Sequence, residues 1–155
     1  NEEHYPWTSV TAAQRARQRG DNLIAIFNLD SLGGKSDEAI AANAKTSVTL
    51  YTAPEGERLA RLMAAMNETY AIGLQQSSYR RTRPGDDDGS FIQAGYTAAV
   101  ANIGSYPYAD EQYHLEGDVP ERVDVSNVRM AAQATLAAVL HLDQMGSAAY
   151  RSLSD

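Results

Sequence analysis

The 155 residues predict an α/β fold, three layers (αβα) built around a mixed, mostly parallel sheet. Three observations carry that reading. Two short apolar runs, "NLIAIFNL" at 22–29 and "TAAVANI" at 97–103, are nearly continuous, as strands covered on both faces are. Between them Leu59, Leu62, Met63, Met66 and Tyr70 recur at spacings of three and four, the stripe of a helix laid on a sheet. Strand and helix signals alternate along the chain with no internal repeat or linker, so residues 1–155 are expected to form one domain or part of one.

Taken in order, Thr8 or Ser9 can cap a short helix that runs through Gln18 and stops at Gly20. The run 22–29 follows as a buried strand ending at Asp30, and residues 35–45 read as loop. "SVTLYT" at 47–52 alternates as a second strand, Pro54 opens the striped helix, and Gly73 closes it. "LQQSSY" is a weaker strand, Arg80 to Gly89 reads as a polar loop, and residues 90–95 as a single helical turn. After the strand at 97–103, Asp124 or Ser126 caps a final helix. Its expected inward stripe is Val128, Ala131, Ala132, Thr135, Leu136 and Val139.

Composition removes several function classes. A net charge of −7 disfavours nucleic acid and anionic membranes as partners. The absence of cysteine removes disulfides, thiolate metal sites and thiol nucleophiles together. No apolar run approaches the roughly 20 residues of a membrane helix, and the opening Asn-Glu-Glu-His has no signal-peptide character. With no initiating methionine, Asn1 is not expected to be the natural start.

Chemistry concentrates where such sheets bind ligands, beyond the carboxyl ends of the strands. Asp30 ends the first strand among apolar neighbours, where it either caps the following turn or serves a metal ion. The loop leaving the 97–103 strand carries His114, one of three histidines, so topology allows Asp30 and His114 to share one rim. Adjacent carboxylates such as Glu2-Glu3 can divide labour, one holding a metal and the other taking a proton from water. Carboxylate plus imidazole without sulfur suits zinc or a similar divalent ion in a hydrolytic site.

Four stretches in this order resemble the co-catalytic zinc aminopeptidases, relatives of glutamate carboxypeptidase and glutaminyl cyclase. "NEEHYPWTS" resembles the family's Glu-Glu segment, and "NLIAIFNLDSLGG" its strand ending in Asn-Leu-Asp. "GDDDGSFIQAGYTAAV" resembles its Ser-Asp-His-x-x-Phe-x-x-x-Gly segment, and "EQYHLEGDVPERVD" its Tyr-His-x-x-x-Asp element. The resemblance implies a zinc exopeptidase fold with two zinc ions, other divalent metals being possible, and a peptide substrate. Glu2 would be the general base, Glu3 and His114 would ligate one zinc, and Asp30 the other. Asp87 and Asp118 would lend loop support, while His4 and His141 match no ligand position. A secreted or periplasmic site is implied as well.

Two departures qualify the likeness. Asp86-Asp87-Asp88 stands where the family has Ser-Asp-His, so only Asp87 matches, and a solvated acidic turn is an equal reading. The family's first metal-binding histidine and its bridging aspartate precede the Glu-Glu pair, where this chain has one residue. The chain is thus expected to be the C-terminal part of the catalytic domain, incomplete at one side of its sheet and close to inactive alone. It would pair with the missing N-terminal half or self-associate to cover its open edge. A single-zinc cyclase-like enzyme and a non-catalytic binding or dimerisation domain of the same fold are the alternatives.

Overall fold

The computed structural model describes residues 3–152, with side chains described through residue 146. Its elements in chain order are helix α1 (Thr8–Arg19), strand β1 (Ile26–Leu29), helix α2 (Asp37–Ala41), strand β2 (Thr46–Tyr51), helix α3 (Pro54–Thr69), strand β3 (Gln75–Arg80), helix α4 (Asp86–Gln93), strand β4 (Ala99–Ile103) and helix α5 (Val125–Ser152). The sheet order is β1-β4-β2-β3, with β1 parallel to β4, β2 parallel to β3, and β4 antiparallel to β2. The fold is therefore α/β with a four-stranded mixed sheet flanked by helices, as the alternation of apolar runs and stripes implies.

All five residues of β4 are buried, which requires cover on both faces. On one face Val100 packs with Leu59 of α3 and Leu142 of α5. Met63 and Met66 of α3 extend that layer against Ala134 and Ala138 of α5. Helix α4 packs on β4 and β1, and α1 packs on α4. Because side chains alternate along a strand, Ala101 and Ile103 join Val48 and Leu50 on the opposite face. β1 is an end strand whose outer edge has no partner among the described residues, and Leu29 on it is 43% exposed.

Several expectations need correction. β1 is four residues long and only partly covered, because it is an end strand. Residues 35–45 are not all loop: Ser36 accepts from the Ala39 N–H (3.2 Å) and starts α2. The N-cap of α1 falls on Trp7, without a side-chain cap, and Ser9 instead bonds Ser90 across the α1–α4 contact (2.9 Å). Helix α4 begins inside the expected polar loop, where three aspartates in the first turn favour it through the helix dipole. Tyr70 is 64% exposed because α3 has already ended. On α5 the buried face is Ala131, Ala134, Thr135, Ala138 and Leu142. Ala132, Leu136 and Val139 point outward, since close helix packing selects the small side chains for the inside.

One polar cluster locks three segments. Lys35, whose side chain is fully buried, donates to Asp124 (2.5 Å) and to the Ala44 carbonyl. Lys45 donates to the same Asp124 oxygen (2.7 Å). The other Asp124 oxygen accepts from the Asn127 N–H (3.0 Å) and so caps α5, as expected from the sequence. Fully buried Asn127 donates to the Leu32 and Thr46 carbonyls and accepts from the Thr46 N–H. Burial works to raise the Asp124 pKa, but the bonds from Lys35, Lys45, Asn127 and Ser126 outweigh it and hold it well below the usual carboxylate range. That stability is present at neutral pH and is lost as pH falls. Replacing Asp124 with alanine strands the Lys35 charge in the interior, so urea denaturation at pH 7 should show a loss of about 3–5 kcal/mol. A loss below about 1 kcal/mol, no more than a surface pair contributes, would contradict this account.

Candidate active site

β1 and β4 run parallel, so their carboxyl ends share one rim, and the loops leaving them meet there. Gly104, just past β4, donates its N–H to the Ser31 carbonyl (3.2 Å). A Cβ at Gly104 would lie within about 3 Å of the carbonyl oxygens of Ser31, Leu32 and Gly34, so the two backbones cross only because no side chain intervenes. Gly34 likewise makes room for the Tyr108 ring: its Cβ would stand 2.0 Å from the hydroxyl. These close approaches hold the loop after β1 against the loop that carries the histidine.

Asp30, the first residue beyond β1, donates its N–H to Asn102 (3.0 Å) and accepts from the Ser31 hydroxyl (2.9 Å). Ser31 also hydrogen-bonds Tyr108, whose phenol pKa is raised chiefly by burial and further by the charges of Asp110, Asp118 and Asp30. The geometry thus groups Asp30, Ser31 and Tyr108 on the rim.

His114 lies in the loop beyond β4, in the left-handed region at φ 62. Its Nε2 stands 3.1 Å from the Glu3 carboxylate, across 111 sequence positions. Both side chains are more than half exposed, 55% and 53%. Such a pair contributes about 0–1 kcal/mol, whereas a non-glycine residue in the left-handed region costs on the order of 1–2 kcal/mol. The loop conformation is therefore not repaid by the Glu3–His114 contact. Two ligands about 2.0–2.1 Å from a tetrahedral zinc stand about 3.3 Å apart. The Glu3–His114 pair fits that ion in donor type and in separation. Among the described residues, no group of three or more His, Asp or Glu side chains could hold a metal.

Glu3, His114 and Asp118 open onto one cavity of ≈ 440 Å³. Its apolar wall includes Leu29, Leu32, Val123 and Val128. Tyr113 sits between His114 (3.9 Å between ring centroids) and Tyr108 (4.7 Å). Arg122 bridges Asp37 (2.8 Å) and Asp110 (3.4 Å) at the same mouth. Asp118 closes the histidine turn through its N–H to the Leu115 carbonyl (3.0 Å). Glu2, assigned from sequence as the base, lies outside the described residues.

The acidic triplet differs from a solvated turn. Asp88 is fully buried and paired with Arg81, which also holds Asp86 (2.9 Å). Burial raises the Asp86 pKa, with Arg81 opposing and Asp30 adding to the rise, so the start of α4 lies within electrostatic reach of Asp30. The structure thus connects Asp86 to Asp30, while Asp87, expected to support the site, takes part in neither ion pair. Arg81, Tyr108, Asp110 and Arg122 have no place in the sequence reading, and Asp86 stands there only as part of an acidic turn.

The family profile of peptidase family M28 matches residues 1–140. Among solved structures the chain resembles the Legionella pneumophila LapA aminopeptidase, with a TM-score of 0.67 and 16% sequence identity. That match covers 85% of this chain and 34% of the other, and at this identity it establishes likeness of fold. A search of curated proteins returns no match.

Burial lifts the Asp88 carboxyl to about 6 against the attraction of Arg81. The folded chain therefore holds the Asp88 proton more tightly than the unfolded one, and stability attributable to it falls as pH rises from about 4 to about 6, by on the order of 3 kcal/mol. The isosteric Asp88→Asn variant lacks this titration. Denaturant midpoints at pH 4 and pH 7 should show the variant gaining on the parent at the higher pH, and parallel curves would contradict the assignment.

Proposed function

The chain belongs to peptidase family M28, and from that premise we propose that it forms part of the catalytic domain of a zinc-dependent exopeptidase, an aminopeptidase releasing N-terminal residues from peptides. The observation that supports this reading is the 3.1 Å contact of Glu3 with His114, two residues that the resemblance assigns to one metal ion. Glu3 and His114 would hold that ion and Asp30 a second. When bound, zinc supplies Lewis acidity to a peptide carbonyl and lowers the pKa of water.

The chain's own residues do the rest. Glu2 takes the proton released by the attacking water and returns it to the departing amine. Ser31 and Tyr108 orient the Asp30 carboxylate through the Ser31 hydroxyl. Leu29, Leu32 and Val128 give the cavity one apolar wall against which a substrate side chain would rest. The bridging carboxylate and the first histidine that the resemblance places ahead of Glu2 would come from further chain, so activity belongs to the assembled domain. No helix among the described residues is long and apolar enough to cross a membrane, and a secreted or periplasmic site accords with the family resemblance.

The test has two arms. The 155-residue chain should bind zinc measurably, and His114→Ala should weaken that binding by at least 10-fold. In the intact enzyme, hydrolysis of a fluorogenic aminoacyl substrate should stop with chelator, return with zinc, and fall about 100-fold or more in Glu2→Gln. Hydrolysis indifferent to chelator would remove the metallopeptidase reading.

A further inference from the structure

Helix α5 carries a second apolar stripe, opposite the face that packs on α3. Leu136, Val139 and Leu140 are 57%, 43% and 53% exposed. Beside them, a surface groove of ≈ 490 Å³ lies between Leu136, Ala137 and Leu140 and the turn after α3, where Tyr70 and Ile72 form the other wall. An apolar strip of this kind on a protein with a net charge of −7 calls for a partner surface.

The order of residues along the stripe specifies the partner. At 100° per residue, positions 129, 132, 133, 139, 140 and 143 all lie within about 60° of position 136. Residues equidistant from Leu136 are Ala132 and Leu140, Gln133 and Val139, and Arg129 and Asp143. All of these side chains are exposed. When a second copy of α5 lies antiparallel across a two-fold axis at Leu136, each small Ala132 faces a large Leu140 and the two Leu136 side chains meet on the axis. Arg129 of each copy faces Asp143 of the other, giving two opposite-charge pairs and no like-charge contact. An isologous interface requires a patch complementary to itself, and this stripe has that property in size and in charge. The kink at Gly146 lies beyond the last paired position, so the segment used is continuous helix.

We propose that this chain forms a two-fold dimer through the exposed face of α5, with Leu136 on the axis and the Arg129–Asp143 pairs at its ends. The inference is independent of the catalytic reading, since the stripe lies on a face of α5 that takes no part in the cavity. A single helix pair with a flanking groove falls among the smaller interfaces, below about 1,200 Å² in total, so dissociation in the micromolar range is expected.

Sedimentation equilibrium of the 155-residue chain across micromolar concentrations should fit a monomer–dimer equilibrium. Leu136→Asp places two carboxylates on the axis and should weaken the dimer about 100-fold or more. Thermal melts followed by circular dichroism should leave its monomer fold intact, because Leu136 is 57% exposed and lies outside the buried core. Arg129→Asp should weaken association about 10-fold, and adding Asp143→Arg should restore it. The chain has no cysteine, so Leu136→Cys introduces a single thiol that should oxidise to a linked dimer faster than Glu38→Cys on exposed α2. A chain that stays monomeric throughout overturns the proposal. So does a dimer unmoved by Leu136→Asp and by the charge reversal, as pairing at the β1 edge or with a different protein would give.

Discussion

The rim is anchored by a carboxylate that is not itself a candidate metal ligand. Asp124 neutralises the buried Lys35, shares its oxygen with Lys45, and caps α5 through Asn127. Those contacts bind the loop after β1, the start of β2 and the start of α5 into one unit. Val123 and Val128, on either side of Asp124, form part of the cavity wall. The loop that carries His114 thus leaves β4 and returns to a point fixed by a buried charge. Without that anchor the histidine loop would be tied down at one end only.

A second layer of constraint is the direction of the strands. β4 runs with β1 and against β2, so the carboxyl ends of β1 and β4 meet on one side of the sheet. Candidate ligands from two distant parts of the sequence then lie on one rim of the sheet. Helix α4, packed on β4 and β1, brings its acidic first turn within reach of Asp30, and Arg81 pairs with two of the three carboxylates there.

Much of the frame is readable in the residues themselves. Pro54 and the stripe from Leu59 to Met66 mark α3, and the apolar run ending at Ile103 marks the central strand. The phase of α5 is not readable in the same way. Both sides of that helix are apolar, and periodicity reveals a stripe without saying which stripe faces inward. Alanine 131, 134 and 138 win the inside because they permit close approach to α3, which only the packed structure reveals. The start of α4 was hidden because three aspartates look like a turn, although their charges also suit a helix N-terminus. At the candidate site, Glu3 and His114 became a pair through motif order. The Arg81 cluster had no such signal, since its partners depend on how a loop folds back onto its helix.

Because two backbones cross at Gly104 with no room for a side chain, the region divides into parts that can drift and one point that cannot. Wall residues such as Leu29 or Val128 can exchange bulk and reshape the cavity while both loops stay where they are. A methyl group at the crossing would instead wedge the loops apart, shifting Asp30 against His114 while leaving both side chains intact. For selection or for a designed library, ligand preference in this fold is open to gradual change, whereas the alignment of the candidate metal ligands is held by an all-or-none contact.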